Sequence, residues 1–163
     1  MNALILRILA AFATIVAACP RSADAAAPAG RYVVTAGSGP GNGTVYDTRT
    51  KLTWQQTMSS KTYTFDQAPL YCLAIGSSLG GTGWRVPTVK ELLSLVDYSQ
   101  STKPFIDRTA FPGVPAGPSL EAGYFWSSSI VPGAMTYWWY VDFDSAVSAF
   151  DANYKAFNVR CVR

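Results

Sequence analysis

The groups in this chain whose types could do chemistry are the cysteines Cys72 and Cys161, the serine run Ser127-Ser128-Ser129, the pair Arg85 and Glu91, and the carboxylates Asp142, Asp144 and Asp151. None of the 163 residues is a histidine. Imidazole-based acyl transfer, histidine zinc sites and facial-triad iron are therefore excluded. A serine nucleophile needs an activating base, and without histidine only a lysine could serve. Two thiols without histidine and without a Cys-x-x-Cys spacing make a poor zinc set. Asp142-x-Asp144 with Asp151 offers oxygens of the kind calcium prefers, but carboxylates alternating along a strand ordinarily mark its solvated face. Arg85 could hold an anionic group through its guanidinium fork, or could organise the fold by pairing with a carboxylate. No catalytic residue, metal or cofactor is expected.

The aromatic residues point towards binding. Trp126, Trp138 and Tyr140 lie in strand-like segments, and aromatic faces beside Asn and Asp suit a saccharide ring through stacking and hydrogen bonds. Period-two arithmetic puts Tyr137, Trp139, Val141 and Phe143 on one apolar face, expected to be buried, and Trp138, Tyr140 and Asp142 on the other. The ligand-binding candidates are therefore Arg85, Trp126, Trp138, Tyr140 and Asp142. If helices and loops cover both faces of the sheet, these aromatics become core instead.

The elements that would position these groups begin after an export signal. Residues 1–25 carry Arg7, an apolar run from Ile8 to Ala18, then Pro20 and small residues. That run is too short to span a hydrocarbon core, which takes about 20 residues in a helix. Cleavage is expected at Ala23-Asp24-Ala25; the rival site, Val16-Ala17-Ala18-Cys19, would make Cys19 a lipidated residue. Either way Cys72 and Cys161 remain in a chain bound for an oxidising compartment, and a disulfide between them is expected. Residues 26–43 read as a flexible leader with one short strand at Tyr32-Val33-Val34. With 13 Lys and Arg against 10 Asp and Glu, and no two basic residues adjacent, the chain shows no nucleic-acid footprint.

Thr44 to Gln55 reads as a hairpin about a polar Asp-Thr-Arg-Thr turn, with Asp47 capping the turn and Leu52 and Trp54 sharing a buried face. Thr64-x-x-Gln67 and Thr88-x-x-Glu91 are capping-box spacings that open two helices. The first carries Ala68, Cys72, Ile75 and Leu79 at helical intervals, with Pro69 deleting one early backbone bond, which leaves room for a bent first turn. The second carries Val89, Leu92, Leu93 and Val96, and Pro87 stops it from extending backwards. Tyr98 to Gly123 is a long Pro- and Gly-rich loop, read either as a ligand surface or as a cover held down by Phe105, Ile106 and Phe111. Strands follow at Tyr124–Ser129, Tyr137–Phe143, Ala146–Phe150 and Lys155–Val162, the last with Phe157, Val159 and Cys161 on one face.

Taken in order, Val45-x-Asp47, Leu52-x-Trp54, Tyr63-x-Phe65, Ala68-x-x-Tyr71-Cys72, Gly83-Trp84-Arg85-Val86-Pro87-Thr88-x-x-Glu91-Leu92, Phe125-Trp126-Ser127-Ser128, Val141-Asp142-Phe143 and Val159-Arg160-Cys161-Val162-Arg163 resemble the bacterial Lcl C-terminal domain family over residues 44–163. The resemblance implies an α+β, C-type lectin-like fold. Two helices would pack on a mixed, largely antiparallel sheet with a long loop region and a Cys72–Cys161 bridge, and Trp84, Pro87, Thr88 and Glu91 would form a structural motif. Two departures stand out. Asp144-Ser145 follows Asp142-Phe143 where many relatives carry glycine, and the calcium signatures of animal lectins are missing. The expectation is an exported, non-enzymatic module at the periplasm or cell surface or secreted, with an outer-membrane lipoprotein as the form that Cys19 would give. Its partner would be a glycan or an envelope surface component. The alternatives are an envelope assembly or adhesion protein that binds another protein, and an enzyme on the same scaffold. Related enzymes use a reactive cysteine pair, whereas both cysteines here are expected in one bridge.

Overall fold

A computed structural model describes residues 27–37, 43–115, 117 and 121–163. The expected signal, both cleavage sites and Cys19 lie outside the described residues. Tyr32–Thr35 (β1), Thr44–Asp47 (β2) and Thr53–Gln55 (β3) form one antiparallel sheet in the order β1-β2-β3. Tyr124–Val131 (β4), Ala134–Asp142 (β5) and Val147–Ala152 (β6) form a second, in the order β4-β5-β6. Helices α1 (Ala68–Leu79) and α2 (Val89–Leu93) lie between them in the chain. The α+β class and the two helices match the sequence reading; the single mixed sheet is corrected to two antiparallel ones.

The first hairpin forms in the expected register, with Val45 opposite Trp54, both fully buried. Asp47 caps its turn by accepting from Arg49 N–H at 2.9 Å, and it also takes a salt bridge from Arg31 at 3.0 Å. The same guanidinium donates to the carbonyl of Ser94 at 2.6 Å. The short strand expected near Tyr32 is thereby tied, as β1, both to its neighbour and to the end of α2.

Helix α1 begins differently from the expectation. A 3₁₀ turn at Phe65–Gln67 carries the Thr64 start signal, with Thr64 N–H donating to Gln67 Oε1 at 3.1 Å. The α-helix proper starts at Ala68, so Pro69 falls in its first turn. The missing proline N–H has no intrahelical partner to lose there. Ala68, Cys72, Gly76 and Leu79 face inwards. In α2, Glu91 N–H donates to Thr88 Oγ1 at 3.3 Å and Thr88 N–H donates to Glu91 Oε2 at 2.7 Å, which completes the capping box.

The C-terminal segment, expected as a strand over Lys155–Val162, instead pairs in short bridges. Phe157 pairs with Tyr63, Asn158 with Phe125 in parallel, and Val162 with both Trp54 and Arg85. Each change of partner ends a ladder before it can run on, and the result links both sheets to the loops around the helices. Phe157, Val159 and Cys161 are buried as expected, but so are Asn158 and Arg160 on the opposite face. Cys72 and Cys161 are joined by a disulfide, S–S 2.04 Å.

Two core clusters result. One gathers β2, β3, α2, Phe125, Val141 and Phe143. The other gathers α1, Trp84, Trp126, Tyr140, Phe157 and the disulfide. Ile106 and Phe111 of the long loop are fully buried in the first cluster, and Phe105 N–H donates to Phe143 carbonyl at 2.7 Å. These loop residues thus act as a cover.

Candidate functional site

The Trp126 indole is fully buried, and its Nε1–H donates to the carbonyl of Tyr63 at 2.9 Å. Tyr140 is buried as well, stacked on Tyr124 with centroids 4.4 Å apart. Trp138 is half-buried and lies flat against Phe65 at 3.6 Å. The expectation that this face of β5 meets solvent is therefore corrected. Phe65 and the C-terminal Phe157 cover it, and neither Trp126 nor Tyr140 has a ring face to offer a ligand.

Arg85 and Asp142 have internal partners. Arg85 forms a two-pronged ion pair with Glu91 at 2.7 and 2.8 Å, although its side chain stays 46% exposed. The Arg85 hydrogen bond, joined by Thr88 N–H, outweighs burial and holds the Glu91 carboxyl below the usual carboxylate range. Asp142 is buried and accepts from Asp144 N–H at 2.8 Å and from the Ser145 hydroxyl, so it shapes the turn into β6. The structure does not gather Arg85, Trp126, Trp138, Tyr140 and Asp142 into one accessible surface. Trp84, the anchor of the motif, donates from Nε1 to the Gly80 carbonyl at 3.0 Å, and the Arg163 guanidinium lies over its ring at 5.4 Å.

Two of the serines that could have done chemistry are engaged in the fold. Ser127 Oγ donates to the Trp139 carbonyl at 2.7 Å, and Ser129 Oγ accepts from Val89 N–H at 3.0 Å. Among the described residues no three His, Cys, Asp or Glu side chains form a group able to hold a metal ion.

A concave site does exist at the start of α1. A cavity of about 500 Å³ is lined by Lys61, Thr62, Tyr63, Gln67, Leu70 and Tyr71. That lies within the range of roughly 300–1,000 Å³ typical of small-ligand sites. The Tyr63 and Tyr71 rings stack with centroids 4.6 Å apart. Both are locked from behind: the Tyr63 backbone pairs in both directions with Phe157, and Tyr71 OH accepts from Gln55 Nε2 at 2.6 Å. Burial pushes the Tyr71 phenol above its ordinary pKa, with the Gln55 hydrogen bond opposing. Leu70, 67% exposed, supplies an apolar rim. Rigid aromatic rings, a hydroxyl, an amide and an ammonium can stack on and hydrogen-bond a polar ring.

Residues 43–163 match the Lcl C-terminal domain. The chain belongs to this family. No curated protein matches the chain. The matched range includes Tyr63, Tyr71 and Cys72. The groove thus grows from the segment that starts α1 and carries the disulfide.

The sequence reading missed Lys61, Gln67, Leu70 and Tyr71 as a set. The available signal was the four-residue step from Gln67 to Tyr71, which stacks both on one side of the helix start. Opposite that groove in character is the outer end of β5 and β6. There Met135 is 85%, Tyr137 40% and Phe150 52% exposed. Phe150 makes edge contacts with Tyr137 and Trp139. The wholly apolar face is therefore buried at Val141 and Phe143, half-buried at Trp139 and open at Tyr137.

Proposed function

We propose that the protein is an exported, non-enzymatic binding module that takes a glycan end in the groove beside α1. The observation that carries this reading is the rigid Tyr63–Tyr71 pair in a cavity of about 500 Å³ that also offers Lys61 and Gln67. A sugar ring presents an apolar face to aromatic side chains and hydroxyls to amides and ammonium groups. The helix-to-C-terminus disulfide and the two small antiparallel sheets support a C-type lectin-like arrangement. The disulfide also supports folding in an oxidising compartment, at the periplasm, the cell surface or outside the cell. The test is a glycan array probed with the exported protein, with calcium and with chelator, followed by titration of any hit against Tyr71→Ala and Leu70→Ala variants. Specific binding that weakens at least tenfold in Tyr71→Ala supports the reading. A blank array, or a hit indifferent to both changes, overturns it.

A second reading has its own observation. Met135, Tyr137, Trp139 and Phe150 form an apolar aromatic surface at the end of β5 and β6, which suits an envelope protein partner better than a sugar. A Trp139→Ser variant that still binds sugar and loses a purified protein partner would assign that surface to assembly.

A further inference from the structure

Asp107 sits in the long loop with 8% of its surface exposed, and the fold uses its two carboxylate oxygens unequally. Oδ1 accepts from Thr109 N–H and from Ala110 N–H, both at 2.9 Å, and so shapes the turn that leads to the buried Phe111. Oδ2 has one longer partner among the described residues, the backbone N–H of Ala27 at 3.3 Å. Beside it lies a cavity of about 160 Å³ whose wall includes Ala27, Pro28, Tyr32, Val34, Asp107 and Thr109. A water molecule takes about 30 Å³ of liquid, so this space admits a group of ammonium size.

Charge decides what kind of group belongs there. A buried carboxylate is costly unless a cation accompanies it. Arg31, Arg85 and Lys155 are the described cations within ion-pair distance of a carboxylate, and they serve Asp47, Glu91 and Glu121. Arg108, the next residue along, turns its guanidinium to the hydroxyl of Thr102 at 3.3 Å. Tyr32 is the other titratable residue of the cavity wall; burial pushes its phenol well above the ordinary range, with Arg31 opposing and Asp47 and Asp107 adding to the rise. The wall thus carries one formal charge, a negative one, with space beside it.

The cleavage expected after Ala25 bears directly on this space. Hydrolysis of the Ala25–Ala26 bond by an export peptidase puts the hydroxyl of water on the Ala25 carbonyl and leaves residue 26 a primary amine, which holds a proton at neutral pH. In the uncleaved chain the same nitrogen is an uncharged amide. Bond lengths keep it about 3–4 Å from the Ala27 nitrogen that already touches Oδ2. We propose that the Asp107 cavity is a primary-ammonium site and that the processed N-terminus of this same chain occupies it. The tether makes that amine a stronger competitor than a free one, because its binding is intramolecular. Removal of the signal then supplies the cation and ties the segment before β1 to the long loop, whose Ile106 and Phe111 are part of the first core cluster. A chain processed at Cys19 keeps an amide at position 26 and leaves the carboxylate without its partner. The inference rests on the export reading and is independent of the groove.

The experiment uses the processed protein recovered after export. N-terminal sequencing places its first residue. The folded protein is then acetylated with acetic anhydride over a series of pH values, and the rate at the N-terminal peptide is read by mass spectrometry in the parent and in Asp107→Asn, which keeps the Oδ1 acceptor of the turn. An unperturbed α-amino group titrates at about 7.7–8.0. The expected result is a start at Ala26, a titration midpoint about one pH unit or more above that value in the parent, hence about tenfold less reactive amine at pH 7, and a return towards the ordinary value in Asp107→Asn. A different first residue would overturn the cleavage reading and the proposal together. A start at Ala26 with an ordinary or lowered midpoint overturns the proposal alone, since an amine that is merely covered reacts slowly at every pH and burial without a carboxylate lowers its midpoint. A folded Asp107→Asn variant that keeps the raised midpoint overturns the pairing. The parent's titration needs no variant, so an Asp107→Asn chain that fails to fold does not shield the proposal.

Discussion

Asp47 shows how one carboxylate comes to hold three pieces of chain. It is fully buried, and burial alone pushes its pKa up. The Arg31 hydrogen bonds at 3.0 and 3.4 Å and the Arg49 N–H outweigh that, so the carboxyl lies below its ordinary value of 3.8. A carboxyl depressed in the folded state adds stability that is complete above its unfolded pKa and disappears as pH falls through the folded one. Asp47→Asn removes the charge and leaves Arg31 half-satisfied against the Ser94 carbonyl. The expected loss is about 3 kcal/mol near pH 7, the usual consequence of breaking a mostly buried pair. Urea unfolding of parent and variant at pH 7 and at about pH 3 checks this, since the gap must narrow in acid. An equal gap at both pH values would show that packing, not charge, had been lost.

At α1 the interesting residue is a glycine. Gly76 faces the Trp84 ring, and a Cβ there would lie 2.9 Å from Trp84 Cδ1. Helix propensity alone favours Gly76→Ala by about 1 kcal/mol. Trp84, however, is fixed by its bond to Gly80 and by Arg163 over its face, so it cannot step aside cheaply. Overpacking of this kind costs about 1–3 kcal/mol. The variant is therefore expected to be less stable by up to about 2 kcal/mol, read as a lower urea midpoint at unchanged m-value, and a stabilised variant would mean that Trp84 yields. The sequence revealed α1, α2 and the first hairpin because caps, turn residues and apolar spacing are local signals. It located the disulfide by elimination among three cysteines. It failed at Trp126, Tyr140 and Arg160, whose burial depends on Phe65, Phe157 and Phe111 arriving from distant parts of the chain. Period two sorts residues between faces; it does not say which face another segment will cover. The groove was missed for the same reason, since Tyr63 and Tyr71 meet only after the 3₁₀ turn brings the chain round.

The C-terminal segment makes one unit of two sheets. Val162 pairs with both Trp54 and Arg85, Asn158 with Phe125, and Phe157 with Tyr63, while Cys161 is bonded to α1 across 89 positions of sequence. A bridge closing a loop of that length stabilises by about 4–5 kcal/mol in the chain-entropy account. It does so by restricting the unfolded chain, so its loss lowers the stability of everything that unfolds together. Two outcomes can be separated by amide hydrogen exchange on a Cys72→Ala, Cys161→Ala double variant. If the segment is the seam of a single cooperative unit, protection at Arg85, Val162 and the β4–β5 pairs Phe125 and Val141 falls by one common factor, matching the global loss. If the bridge merely pins a tail, protection falls at Val162 and Arg85 and stays at Phe125 and Val141. The common fall is expected, because freeing the segment would uncover Phe157, Val159 and Arg160 together and would strip both core clusters of a wall.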